Sequence, residues 1–143
     1  MSQLTRSFPA RLQAFEQVRA LIEEFGAMAE LGREDRHKLT LIVEELFTNT
    51  VTHGFRGDSD SPVRVTLEHI DSGVRLTYED SAPQHDSIAD GLRTDIDATV
   101  NLRQVGGLGV AIALGLTEDA KYSFVDGRNR VAMTFLTKRP QMP

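Results

Sequence analysis

Apolar residues recur at helical spacing in the first third of the chain and alternate with polar ones further on. Gln3–Phe8 reads as a short first strand ended by Pro9. Leu12, Phe15, Val18, Ile22 and Phe25 then fall on one face of a helix that Gly32 should break. A second helix carries Leu39, Ile42, Val43, Leu46 and Thr50 on one face, with Gly54 placed as its C-terminal cap. Val63–Ile70 and Val74–Asp80 both alternate, and the DSG between them makes a hairpin. GGLGVAIALGLTEDA, starting at Gly106, reads as a glycine loop feeding a third helix. KYSFV and RVAMTFLTK, joined by DGRN, form a last hairpin. The order β-α-α-β-β-loop-α-β-β segregates helices from strands. It predicts an α+β fold, a two-layer α/β sandwich whose mostly antiparallel mixed sheet is covered on one face by helices.

At 143 residues the chain suits a single domain, 1–143, and 40% apolar content is enough for a core. Sixteen Lys and Arg against 21 Asp and Glu give a net charge of −5, which lacks the basic footprint of direct nucleic-acid binding. With no cysteine, disulfides and thiolate metal sites are excluded. No apolar run is long enough to span a bilayer, and the first residues lack the apolar stretch of a signal peptide, so a cytoplasmic protein with no membrane partner is expected.

Three segments have candidate chemistry. On the second helix, Glu45 and Asn49 lie about 40° apart on one side, at the border of the apolar stripe. An amide oxygen suits Mg²⁺ in a phosphate-rich site, and a carboxylate can take a proton from an attacking hydroxyl. Spacing alone favours the plainer reading, a solvated helix edge. In YEDSAPQHD, Asp80 ends an alternating strand near the core, poised to accept from a ligand amine such as adenine N6, or simply to form a turn. His85, like His37, His53 and His69, reads as loop surface. Gly106, Gly107 and Gly109 precede a helical run, where backbone N–H groups and a helix N-terminus attract phosphate; a hinge would look the same. No Walker lysine follows. Residues 81–105 lack a clear period, and a loop above about 12–15 residues in a small domain is either functional or a surface excursion.

In this order, Glu45-Leu-Phe-Thr-Asn49, Glu79-Asp80 with Pro83 and Asp86, and Gly106-Gly-Leu-Gly109 resemble the N, G1 and G2 boxes of the GHKL ATPases. With the small size and the ending YSFVDGRNRVAMTF, the chain is most similar to bacterial anti-sigma-factor serine/threonine kinases, from about Leu4 to Lys138. The resemblance implies the histidine-kinase-like ATPase fold, with ATP and Mg²⁺ as cofactors. It implies that Asn49 binds Mg²⁺, Glu45 is the catalytic base, and Asp80 holds adenine, with Ala82 beside it. Gly106, Gly107, Leu108 and Gly109 would close on the phosphates, with residues 87–105 as the ATP lid. It further implies a sigma factor and a STAS-type antagonist as protein partners, and a homodimer. A protein-interaction module with weak or no catalysis is the alternative. The G1 pattern of this subgroup has a glycine where the chain has Ala82, so either a strained backbone or a different loop is expected there.

Overall fold

A computed structural model describes residues 3–86, 88 and 117–137. Five strands form one sheet in the order β1-β2-β3-β5-β4, and all four pairings are antiparallel. The strands are β1 (Gln3–Pro9), β2 (Pro62–Ile70), β3 (Gly73–Asp80), β4 (Thr117–Val125) and β5 (Arg128–Leu136). Two helices, α1 (Phe15–Met28) and α2 (Arg33–Asn49), lie between β1 and β2 in the chain. Among the described residues no helix is long and apolar enough to cross a membrane.

Alternation along the strands puts Phe8, Val63, Val65, Leu67, Val74, Leu76, Val131, Met133 and Phe135 on one face, and all are buried. The helices cover that face with Val18, Leu21, Ile22 and Phe25 from α1 and Leu39, Ile42, Val43, Leu46 and Phe47 from α2. One apolar layer between one helical layer and one sheet is the predicted sandwich. The opposite face carries the polar half of each alternation. There Glu79 is flanked by Arg64 and Arg130 on the neighbouring strands, at 2.9 and 3.7 Å.

Local details depart from the sequence reading in four places. Leu12 is not part of the buried helix face; it is 49% exposed, in a 3₁₀ turn before α1. The break after α1 is made by Glu30, with φ 55, while Gly32 is the residue before α2. Gly54 is not a left-handed cap: α2 runs on into a π-helical turn, Thr50–Gly54, and the left-handed residue beyond it is Arg56, with φ 60. Thr117–Ala120, read as the tail of a third helix, begin β4 instead. A register shift between Glu118 and Lys121, with Asp119 at φ 53, marks an irregularity that the apolar pattern does not announce. The rest of that third helix, residues 106–116, lies outside the described residues, as does the lid 87–105 apart from Ile88, which packs against the core.

Candidate functional site

Buried polar side chains gather at one end of the helix–sheet interface. Asn49 comes from the end of α2, Thr50 from the π-helical turn that continues it, Asp80 from the end of β3, and Asn129 from the start of β5. Antiparallel register brings the last two together: Asp80 is directly opposite Asn129. A buried polar group without a partner costs about 1–3 kcal/mol, so such a cluster is stable only if its hydrogen bonds close.

They do close. Asp80 Oδ1 accepts from the Ala82 backbone N–H at 3.1 Å and from Asn129 Nδ2 at 2.9 Å. Asp80 Oδ2 accepts from the Thr50 hydroxyl at 2.7 Å. Tyr78 Oη lies 2.7 Å from Thr50 Oγ1 and 3.2 Å from the Leu46 carbonyl. Each hydroxyl has one proton, so Thr50 donates to Asp80 while Tyr78 donates towards Thr50 and Leu46. Burial, with the Asp80 charge adding to it, raises the Tyr78 hydroxyl well above its ordinary 10.0, so Tyr78 remains a donor at neutral pH. A carboxylate has about four acceptor positions. Three on Asp80 are filled from the described residues, and the remaining one is at Oδ2.

Asn129 staples the loop after β3 to the sheet. Its Nδ2 also reaches the carbonyls of Ala82 and Pro83, at 3.0 and 3.2 Å. Its Oδ1 accepts from the His85 N–H at 2.9 Å and from the Tyr122 hydroxyl at 2.6 Å. The expectation of strain at Ala82 resolves in favour of a different loop: Ala82 is buried at 2% exposure, and its φ is not positive. The small residue is needed across the contact instead. A Cβ built on Gly54 would lie 3.0 Å from the Cβ of Ala82, so the end of α2 approaches this loop closely because residue 54 is glycine.

Of the two polar residues on α2, Asn49 is buried and Glu45 is half-buried. Burial raises the Glu45 carboxyl above its ordinary 4.5, and the charge of Glu44 adds to this. Asn49 Nδ2 donates to His85 Nε2 at 3.0 Å. His85 is therefore not loop surface but part of the cluster. The other histidines lie on helical or strand segments: His37 is exposed on α2, His53 is exposed in the π-helical turn, and His69 is on β2. A cleft of about 440 Å³ lies between the π-helical turn and the loop, with His53, Arg56, Gln84 and His85 in its wall. A larger one, about 760 Å³, lies between α1 and α2 and touches none of the cluster.

Sequence reasoning thus places Asn49, Asp80 and Ala82 in one neighbourhood, with Glu45 one turn before Asn49 on the same helix. Gly106, Gly107, Leu108 and Gly109 lie outside the described residues. It misses Thr50, Asn129, Tyr122 and His85. Thr50 had a signal, a hydroxyl in an apolar stripe; Asn129 had only its place just after a turn.

Among the described residues no group of three or more His, Asp or Glu could hold a metal ion. A hard cation here would depend on the Asn49 oxygen together with phosphate oxygens and water, a donor set that fits Mg²⁺ carried by a nucleotide.

The chain matches the histidine kinase-like ATPase domain family over residues 8–135. It is 22% identical to the serine-protein kinase RsbW of Listeria monocytogenes serovar 1/2a, over 95% of this chain and 88% of that one. Against the serine-protein kinase RsbW of Listeria innocua serovar 6a the identity is 21% over the same shares. Among solved structures, the RsbU and RsbW domains of a Mycobacterium tuberculosis protein superpose with a TM-score of 0.67 at 21% identity. That match covers 98% of this chain, which spans 34% of the other.

Proposed function

The chain belongs to the histidine kinase-like ATPase family, and from that premise we propose that it is an ATP-dependent protein serine/threonine kinase of the anti-sigma-factor type. It would sequester a sigma factor and phosphorylate a STAS-type antagonist in the cytoplasm. The observation that carries this reading is the closed polar cluster at the α2–β3 end, with Asp80 and Asn49 both buried in it. Asp80 keeps an acceptor position at Oδ2, suited to the N6 amine of adenine. The Asn49 carbonyl oxygen is a hard neutral ligand for Mg²⁺. Gly106, Gly107, Leu108 and Gly109 would close on the phosphates.

In the transfer itself, the hydroxyl oxygen of the protein substrate bonds to the γ-phosphorus as the bond to the β-phosphate oxygen breaks, releasing ADP. Glu45 accepts the hydroxyl proton, a task helped by a half-buried setting that strengthens its hold on a proton. Mg²⁺, when bound, supplies neutralisation of the phosphate charge. Phosphoryl transfer needs positioning and electrostatics more than covalent chemistry, so few side chains suffice.

Calorimetric titration with ATP and ADP, with and without Mg²⁺, tests the binding half. Wild type should bind in a Mg²⁺-dependent way, and Asn49→Ala should weaken that dependence. Glu45→Ala should then abolish transfer to a cognate partner while leaving nucleotide affinity nearly unchanged. Survival of transfer in that variant would remove Glu45 from its role.

One observation favours a second reading, a protein-interaction module without catalysis. The Asn49 amide and the Asp80 carboxylate already have internal partners, so the cluster is stable without a ligand. A folded wild-type protein that binds no nucleotide would select that reading.

A further inference from the structure

Two members of the polar cluster, Asp80 and Asn49, are linked through one side chain and one ring. Asn129 donates to Asp80 and accepts the backbone N–H of His85. The ring of His85 then meets the amide of Asn49. Asp80 and Asn49 are thereby linked through residues from β5 and from the loop after β3, in addition to the direct Thr50–Asp80 bond between helix and strand.

The chemistry of the last contact is directional. A primary amide has a donor end and an acceptor end, and the end facing His85 is Nδ2, at 3.0 Å from Nε2. Accepting there places the ring proton on Nδ1. Because the amide is planar, holding its nitrogen against the ring turns its oxygen to the other side. That oxygen is the only side-chain atom of Asn49 that can ligate a hard cation.

We propose that His85 is a positioning residue that fixes the orientation of the Asn49 amide for a nucleotide-bound cation, its own backbone being held by Asn129. The proposal rests on the nucleotide reading of the site. It gives His85 a role toward the cation without making it a ligand, since imidazole nitrogen is a poor match for Mg²⁺. Partners that orient a metal ligand are themselves worth about 10–100-fold in metal affinity.

The test compares three variants by calorimetry, with thermal midpoints recorded to show that each is folded. His85→Phe keeps a flat ring but has no acceptor. His85→Gln restores an acceptor oxygen at comparable reach. Asn49→Ala removes the amide. His85→Phe should weaken ATP binding in Mg²⁺ by about tenfold. It should leave ADP binding in EDTA within about twofold, because the adenine end is untouched. His85→Gln should recover most of the Mg²⁺-dependent affinity.

If Asn49→Ala weakens Mg²⁺-dependent binding but His85→Phe does not, the positioning role is overturned and the nucleotide reading stands. Equal losses with and without Mg²⁺ in His85→Phe, or no recovery in His85→Gln, would also overturn it, making the ring a packing element. If wild type binds no nucleotide, or Asn49→Ala changes nothing, the nucleotide reading falls and takes this proposal with it.

Discussion

The two ends of β3 face the same helices, yet they are built on different principles. At one end Val74 and Leu76 lie in a wholly apolar layer; four residues beyond Leu76, Asp80 lies in a hydrogen-bonded cluster, almost as deeply buried. The neighbours change at the same place. On β5 the buried inner residues pass from Phe135 and Met133 to Asn129, and along α2 and the turn after it from Leu39 and Val43 to Asn49 and Thr50. Three elements therefore switch from apolar to polar at one end of a single interface. The apolar end is held by area and packing, which tolerate many sequences of similar volume. The polar end is held by a closed set of donors and acceptors, in which each group specifies the next.

The sharpest way to break this comparison is to truncate both ends of the same strand. Leu76→Ala should cost about 2–5 kcal/mol, through lost transfer energy and the cavity left behind. Asp80→Ala should cost less, about 1–3 kcal/mol: it strands the Ala82 N–H, while the Thr50 hydroxyl keeps the Leu46 carbonyl and Asn129 keeps the Ala82 and Pro83 carbonyls. Urea unfolding measures both. Nucleotide titration should separate them the other way, with Asp80→Ala losing ATP while Leu76→Ala, where still folded, keeps it. A larger stability loss at Asp80 than at Leu76 would mean that the polar end, not the apolar layer, dominates the fold.

How much of each end is legible in the sequence follows from the same contrast. Apolar periodicity reports a face, and the faces of α1, α2, β2, β3 and β5 were all readable from it. Polar closure depends on register and on sheet order, which periodicity does not contain. Asp80 and Asn129 are 49 residues apart and meet because β3 pairs with β5. Asn49 and His85 are 36 apart, joined across a helix and a loop. Asp80 and Asn49 each stand at the end of a periodic element beside the apolar stripe, but it is the resemblance to the N and G1 boxes that picks them out. Asn129 and His85 occupy no such place, and so His85 read as surface. The start of β4 was missed for a related reason: Thr117–Ala120 directly follow an apolar run of helical appearance, and the strand shows only in the pairing of Thr117 and Glu118 with β5.

A smaller effect sharpens the contact between the two elements that flank the cluster. Gly54→Ala should cost about 1 kcal/mol, the low end of overpacking, because the new methyl meets the Cβ of Ala82 at 3.0 Å. Ala82→Gly in the same chain should recover the loss. The glycine absent from the loop would then be restored, and the one present in the π-helical turn would be gone. Thermal unfolding of the two single variants and the double closes a mutant cycle. Simple additivity would show that the two positions do not touch in solution.

The smallest expected effect concerns Glu45, at the border between the two ends. Its carboxyl is raised above 4.5 by burial first and by Glu44 second. The folded protein therefore holds this proton more tightly than the unfolded chain. The resulting stability is fully present below 4.5 and is lost as pH rises through the folded value, so at pH 7 the charged side chain opposes folding. Glu45→Gln removes the charge and should raise the thermal midpoint at pH 7, with the gain shrinking to nothing as the pH falls below 4.5. A gain independent of pH would assign the effect to the shape of glutamine instead. Among the described residues no ion pair or hydrogen bond offsets this charge, and a neutral residue at the same border would fold better. Under the proposed function, a carboxylate at this border, with its proton affinity strengthened by burial, suits a base for a substrate hydroxyl.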